Sequence, residues 1–236
     1  MKNVSMFVQL LMVFLLSCAS EERFVAPEFK SPKIKGASLN IIALFDAIRA
    51  SNMDDFRDDF KSDNSSDTLT YLLHGKLPMA ISKVTYFSDV RFADYKQDSI
   101  KSELSTRPQR RESHQRNGPI TEKKTLRISP TDSISMLLPT NLSINNLVTL
   151  PSDFTLILDD FYIFTDYVSS GQATHKALFY QLKYCLIENK NGKIISFGRA
   201  KAVEIPFFPV FTRDTWVNNI GNIPSVIFSG TAFGRY

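Results

Sequence analysis

The sequence predicts an α/β protein in which a mixed sheet of about five strands has helices packed on it. Three observations predict this fold class: short apolar runs typical of strands, apolar residues at helical spacing, and an Asn-Gly turn between two strand-like segments. Of the 236 residues, 43% are hydrophobic and 22% are charged, which is ordinary for a globular chain. This length suffices for one domain with a sizeable core.

The strands are predicted from runs of apolar, β-branched and aromatic residues. The sequence places them at 39–45, 84–92, 154–165, 177–188 and 193–205. Asn191-Gly192 lies between the last two, and this pair favours a tight hairpin because both residues tolerate a positive φ. The last third of the chain is therefore expected to supply most of the sheet.

Two helices are predicted from apolar residues that recur every three or four positions. The first covers 66–82 and the second covers 212–228. Pro78 falls inside the first and is expected to end or kink it near Leu77, because proline lacks the N–H that an interior position needs. The apolar positions are Leu69, Leu72, Leu73, Leu77 and Ile81 in the first helix, and Trp216, Ile220, Ile223 and Ile227 in the second.

The amino terminus has the organisation of a secretory signal. Lys2 supplies a positive start, and residues 6–16 are apolar apart from Gln9. This segment is too short for a membrane span, which needs about 20 apolar residues. Leu15-Leu16-Ser17-Cys18 then resembles the lipobox of bacterial lipoproteins, with an apolar residue, a small residue and the obligatory cysteine. An ordinary secretory signal followed by a chance cysteine is the alternative.

The lipobox resemblance implies that residues 1–17 are a lipoprotein signal peptide and that Cys18 is lipidated. A diacylglyceryl group, such as one carrying palmitate, would join its thiol, and cleavage would leave Cys18 as the first residue. Two or three acyl chains anchor a protein stably, whereas one binds reversibly. Ala19, in place of aspartate, implies the outer membrane in bacteria that have two membranes. Residues 18–36 contain Pro27 and Pro32 and are predicted to form a lipidated tether before a domain at 37–236.

A polar, basic insertion is predicted at 96–130, where nine basic residues stand against four acidic ones. The segment is therefore near +5 in a chain of net charge +4, so the remainder is slightly acidic. It is expected to be a solvated, flexible loop or a contact with anionic lipid, lipopolysaccharide or an acidic partner. Nucleic acid is disfavoured because the segment has no aromatic residues for stacking. The residues proposed for such a contact are Arg107, Arg110, Arg111, Arg116, Lys123 and Lys124.

No constellation of residues predicts catalysis, a metal or a cofactor. His74, His114 and His175 are too far apart for the usual metal-ligand spacings. The acidic run at 54–67 has no calcium-loop glycine and no terminal glutamate, so a solvated segment before a helix is favoured. Cys185, without a partner once Cys18 is lipidated, is predicted to be a buried apolar side chain.

The pair Asp159-Asp160 supports only a weak hydrolase hypothesis. Neighbouring side chains of a strand point to opposite faces, so the two carboxylates cannot work on one substrate as an acid/base pair. One of them is expected to reach solvent or to pair with a base such as Lys183.

The order of elements resembles the amino-terminal-domain fold of the TolB type over residues 37–230. That fold recurs in curli-secretion lipoproteins, in auxiliary lipoproteins of ABC-type transport systems and in activators of penicillin-binding proteins. The matching segments include "FTLILDDFYIFT" at 154–165 and the helix after "TRDTW". The resemblance implies a non-enzymatic module that binds envelope proteins from the periplasmic face of the outer membrane. A lipoprotein that captures a lipid or polysaccharide is the alternative.

Overall fold

The computed structural model describes residues 22–31, 33–44, 48–51, 65–93, 121–127, 133–139, 152–170, 173–204 and 213–235. Two helices lie within these ranges, α1 (Ser65–Val84) and α2 (Arg213–Phe228). The strands are β1 (Glu22–Val25), β2 (Ser38–Ala43), β3 (Arg49–Ser51), β4 (Asp89–Phe92), β5 (Thr121–Arg127), β6 (Ser133–Pro139), β7 (Phe154–Ser170), β8 (Ala173–Glu188) and β9 (Lys193–Glu204).

The predicted α/β class with a mixed sheet is confirmed. The strand order is β1-β9-β8-β7-β2-β4, and β3 continues the row of β2 beside β7. Strand β2 runs parallel to both β4 and β7, whereas β7, β8, β9 and β1 are antiparallel. The sheet has seven strands and not five, because β1 and β3 contain only four and three residues. Segments this short carry too little period-two signal to be recognised in a sequence.

Strand β4 is also shorter than predicted. The segment 84–92 was expected to be one strand, but α1 extends to Val84 and the strand begins only at Asp89. Between them Thr85 forms an isolated bridge to Gly234, and its hydroxyl donates to the Ile81 carbonyl over 2.7 Å. The residues between helix and strand are thus held by the C-terminal segment.

Helix α1 is confirmed. An end of the helix at Pro78 is wrong, since the helix continues to Val84, and a kink there stays a prediction. Leu77 and Ile81, on either side of the proline, are fully buried against the core. Their packing holds the next turn in place. Pro78 itself is only half-buried and lies away from the sheet, where water can bond the carbonyl that loses its partner.

The main core lies between the sheet and the two helices, and phenylalanine dominates one end of it. The Phe87 ring stacks on Phe233 with 4.9 Å between centroids. It also meets Phe228 at 5.7 Å and Phe154 at 5.9 Å. A smaller apolar cluster on the other face of the sheet contains Cys185. The cluster around Phe87 joins β7, α2 and the C-terminal segment.

Strand β1 shows that the tether predicted over 18–36 is wrong from Glu22 onward. All four residues of β1 pair with β9, from Glu22 opposite Arg199 to Val25 opposite Ser196. The Phe24 ring lies 5.6 Å from the Phe197 ring. The segment folds because Val25, Ala26 and Phe29 bury apolar side chains despite the charges between them.

Part of the predicted basic loop forms a strand. Residues 121–127 belong to that loop, yet they form β5, which pairs with β6 as a separate antiparallel pair. Thr121 lies opposite Pro139, and Arg127 lies opposite Ser133. The expected loop is wrong for 121–127, because cross-strand backbone pairing is not visible in a polar segment. The remainder of the predicted insertion lies outside the described residues.

The prediction for Cys185 is confirmed. Its side chain is fully buried on β8, in contact with the small cluster on the face away from the helices. Burial raises the pKa of the thiol to about 12, because the thiolate would lose its hydration there. Since the thiolate is the reactive form, Cys185 is chemically inert in the folded protein.

Candidate functional site

The two neighbouring aspartates lie where β7 is interrupted by a bulge. Asp159 pairs with Lys183, and the next regular pair is Tyr162 with Gln181, so two residues face one on β8. Asp160 adopts the left-handed conformation, with φ of 54°, which aspartate tolerates better than most residues. The side chain of Asp159 is buried, whereas that of Asp160 keeps 29% of its area exposed.

Asp160 is neutralised by two cations. Its Oδ2 atom lies 3.3 Å from the Lys183 ammonium, which confirms the predicted partner. Its Oδ1 atom accepts a hydrogen bond from the Arg49 guanidinium of β3. Arg49 also lies over the Tyr162 ring, 5.5 Å from its centroid. Because both carboxylate oxygens are paired, Asp160 links β3, β7 and β8 through ion pairs. This geometry is not that of a nucleophile or a general acid.

The Asp160–Lys183 pair is expected to contribute roughly 1 kcal/mol to stability, near the upper end for partly exposed pairs. A double-mutant cycle with Asp160→Asn and Lys183→Met measures this coupling by chemical denaturation. Asparagine keeps the tolerance for positive φ, so the cycle isolates the charge and not the bulge. High salt should shrink the coupling, and a coupling indistinguishable from zero at low salt would show that the pair is only geometric.

A row of aromatic side chains continues from this bulge along the same face of the sheet. The Tyr162 and Phe164 rings stack with 4.9 Å between centroids, and Phe164 stacks on Phe179 across the strand pair at 5.0 Å. All three are half-buried, and Val203, opposite Phe179 on β9, is 36% exposed. The ion pairs of Asp160 therefore border an aromatic surface.

The side of α1 away from the sheet carries two further large, exposed apolar side chains. Tyr71 is 79% exposed and Met79, two turns further on, is 53% exposed. Gly75 lies between them, and nothing comes within 4 Å of the position that a Cβ would occupy there. The result is a shallow depression between two apolar side chains on a fixed helix.

His74 lies at one border of this helix surface. Its ring stacks on the Phe92 ring of β4, with 4.0 Å between centroids. Burial against that ring lowers the pKa of the imidazole, because the charged form would lose hydration. His74 is therefore a neutral packing residue that joins α1 to β4.

Two buried phenol groups, those of Tyr180 and Tyr184, lie on the helix-facing side of β8. Burial is the main cause that raises the pKa of Tyr180, and the nearby Glu204 carboxylate adds to it. The pKa of Tyr184 is raised by burial as well, against smaller opposing effects of Ser196 and Arg23. Both phenols stay protonated at neutral pH, so they are hydrogen-bond donors and not bases.

A cleft of about 610 Å³ opens at the far end of the sheet from the aromatic row. Its polar groups are largely engaged within the protein. The Asp153 carboxylate accepts bonds from the Ser38 backbone N–H and hydroxyl, both at 2.8 Å, and the former is the main cause that lowers the Asp153 pKa. The Asn189 amide donates to the Ser152 carbonyl over 2.7 Å. The cleft is open to solvent and charged side chains line part of it, whereas a lipid carrier is expected to enclose its ligand in an apolar cavity.

Most residues proposed from the sequence lie outside the described ranges. This holds for Cys18, for His114 and the acidic residues at 54–63, and for Arg107, Arg110, Arg111 and Arg116. Lys123 and Lys124 lie on β5, opposite Leu137 and Met136. Within the described ranges, no three His, Cys, Asp or Glu side chains are grouped as a metal site. Neither α1 nor α2 combines the length and apolarity that crossing a bilayer requires.

Sequence reasoning missed the exposed surface of α1 and the bulge at Asp160. The first could have been found, since Tyr71 and Met79 fall opposite the buried leucine stripe on a helical projection. The contact between Arg49 and Asp160 at the bulge could not have been found, because the two residues are 111 positions apart along the chain.

Comparison with known proteins gives only distant structural likenesses. No protein family and no curated protein matches the sequence. A solved PelC dodecamer from Paraburkholderia phytofirmans is 8% identical, over 90% of this chain and 97% of that chain, with a TM-score of 0.35. In a second crystal form, the PelC dodecamer is also 8% identical, over 88% of this chain and 96% of that chain, with a TM-score of 0.33. Lipoprotein GNA1162 from Neisseria meningitidis is 14% identical, over 79% of this chain and 99% of that chain, with a TM-score of 0.32.

These three likenesses are too distant to carry any conclusion about this chain. They include a protein described as a lipoprotein, but its superposition on this chain is too loose to transfer its properties. The TolB-type resemblance, the lipobox and the membrane location accordingly remain predictions from the sequence.

Proposed function

We propose that this protein is a lipid-anchored, non-enzymatic lipoprotein of the cell envelope that binds a partner protein of a transport or assembly system. The anchor is Cys18, and the location is the outer membrane, facing the periplasm. The observation that carries the binding role is the exposed surface of α1, formed by Tyr71, Gly75 and Met79.

The composition of the α1 surface fits a protein partner. Tyrosine and methionine are enriched in protein interfaces, because each covers a large contact area. The opposite side of α1 is fixed by five buried residues of the core, so the surface is preorganised and little entropy is lost on binding. Gly75 leaves room for a side chain of the partner to approach the helix backbone.

The edge of the sheet is a poorer binding site than α1. Strand β4 is the terminal strand on one side of the described sheet and contains only Asp89–Phe92. Its exposed residues are Asp89 and Arg91, and short, charged edge strands are the usual protection against pairing with another chain. Of the two binding surfaces expected from the sequence, the helix is therefore favoured.

The proposal is tested by a photoreactive amino acid placed at Tyr71 in the full-length protein, followed by irradiation of intact cells and mass spectrometry. One discrete adduct with an envelope protein is expected. The adduct should be lost when Met79 is replaced by glutamate, since a charge would be desolvated in the contact. Met79 is more than half exposed, so this substitution leaves folding intact.

A matched control places the same photoreactive group at Lys190, an exposed position in the β8–β9 turn. No adduct with the same protein is expected from there. The same set of adducts from both positions would reflect unspecific crowding, and no adduct from Tyr71 would remove the partner-binding role.

The two other functions expected from the sequence gain no support from the geometry. Lipid capture would need an enclosed apolar cavity, and the cleft near Asp153 is open to solvent and lined in part by charged side chains such as Lys35 and Lys190. A hydrolase would need a carboxylate free to react, and Asp160 has both oxygens paired. The non-enzymatic proposal is consistent with both features.

A further inference from the structure

The exposed surface of α1 has basic side chains along one border. Lys76 and Lys83 are both exposed, and they lie about two helical turns apart on the same side of the helix. A helical projection places them beyond Met79, whereas His74 lies at the opposite border, against β4. The apolar part of the surface is therefore flanked on one side by two ammonium groups.

Neither lysine is neutralised by the side chains described around it. Among the residues that the structure describes, Lys76 and Lys83 form no ion pair. The sequence from 68 to 84 contains no aspartate and no glutamate. Helix α2 packs beside α1, and the exposed side chains described on it are uncharged: Asn218, Asn222 and Ser225. The two lysines thus give this surface a local positive charge.

Strand β4, at the other border of the α1 surface, does not reverse this charge. Its Asp89 carboxylate lies 3.9 Å from the Arg91 guanidinium, and both side chains are about half exposed. Opposite charges this close largely cancel beyond one Debye length, which is roughly 8 Å at physiological ionic strength. A molecule that approaches α1 therefore experiences mainly the positive charge of Lys76 and Lys83.

We propose that the segment of the partner protein that binds α1 is acidic. Its apolar side chains contact Tyr71 and Met79, and its carboxylates pair with Lys76 and Lys83. The inference rests on the proposed function, because it names the chemistry of the partner at the same surface. Apolar contacts at the centre of an interface supply most of the affinity, whereas charges at the border speed association and select the partner.

A second copy of this chain is a poorer occupant of the surface than an acidic partner. A symmetric contact between two copies, centred on Gly75, would bring the two Lys76 side chains near each other. Like charges in an interface oppose association. The charge of the surface thus favours a partner of opposite sign over self-association.

The test measures the yield of the adduct from a photoreactive amino acid at Tyr71 of the full-length protein, in membranes isolated from the cells. Lys76→Glu combined with Lys83→Glu should lower this yield about tenfold, because each attraction becomes a repulsion. The yield with both lysines present should also fall at about 1 M salt, where the Debye length is only about 3 Å. Lys76→Arg combined with Lys83→Arg should keep the yield, since the charge is retained.

Lys190→Glu combined with Lys201→Glu is the matched control. Both lysines are exposed and lie outside α1, in the β8–β9 turn and on β9. The net charge changes by the same amount as in the α1 variant, so the yield at Tyr71 should stay unchanged. Once mass spectrometry has identified the crosslinked peptide, replacing its acidic residues with lysine should restore the adduct of the Lys76→Glu, Lys83→Glu variant.

The outcomes separate two levels of failure. A yield that is the same in the Lys76→Glu, Lys83→Glu variant, or the same at high salt, overturns the acidic partner and leaves the partner-binding role standing. An adduct with lipid or with a second copy of this chain overturns both proposals. If no adduct forms from Tyr71 in any variant, the partner-binding role itself fails.

Discussion

Replacing Phe87 with alanine is expected to lower the free energy of unfolding by about 3–5 kcal/mol. The Phe87 side chain is 4% exposed and touches three other phenylalanine rings, from β7, α2 and the C-terminal segment. Its removal loses the transfer free energy of the ring and leaves a cavity that rings from three different elements cannot fill by a common shift. Urea denaturation followed by circular dichroism measures the loss.

Tyr71→Ala is the matched control for Phe87→Ala. It deletes an aromatic ring of nearly equal size, but from a position that is 79% exposed. The free energy of unfolding should therefore change by no more than about 0.5 kcal/mol. If both substitutions lowered the free energy of unfolding by the same amount, the aromatic cluster around Phe87 would not be a core in solution. The same control shows that Tyr71 is available for binding without a structural role.

Replacing Cys18 with serine is expected to abolish fatty-acid attachment completely. A hydroxyl cannot take the place of the thiol to which the diacylglyceryl group is joined in lipoproteins of this kind. Cells fed an alkyne analogue of palmitate should incorporate it into the natural protein and not into Cys18→Ser. The variant should also keep its leader, which adds the mass of residues 1–17 to the purified protein.

Cys185→Ala is the internal control for the lipid experiment. Cys185 is the second of the two cysteines, fully buried and chemically inert, so its loss should leave labelling unchanged. Labelling that persists in Cys18→Ser would contradict the lipobox prediction, and with it the envelope location and the proposed anchor.

Much of the fold could be predicted because its elements carry their own local patterns. The leucine stripe from Leu69 to Ile81 specified α1, and Asn191-Gly192 specified the β8–β9 hairpin. The helix was expected to end or kink near Leu77 because Pro78 lacks a backbone N–H, and that hydrogen bond is indeed missing. The prediction of an end failed because it did not include the burial of Leu77 and Ile81, which depends on packing against the core.

The candidate binding surfaces were predicted less well than the fold. The α1 surface consists of residues on one helix and was accessible to sequence reasoning in principle. The ion pairs of Asp160 were half predicted, since Lys183 was named as an example of a partner base and Arg49 was not.

The sequence by itself determined the fold class, α1, α2, the β8–β9 hairpin and the chemical character of Cys185, because periodicity and turn chemistry act over a few residues. Tertiary structure alone decided that Glu22–Val25 joins the sheet, that Arg49 reaches Asp160 and that β2 lies between β4 and β7. The partners in each of these cases are about 50 to 180 residues apart. Such contacts form only when folding brings distant segments together, and their free energy depends on packing that no local pattern records.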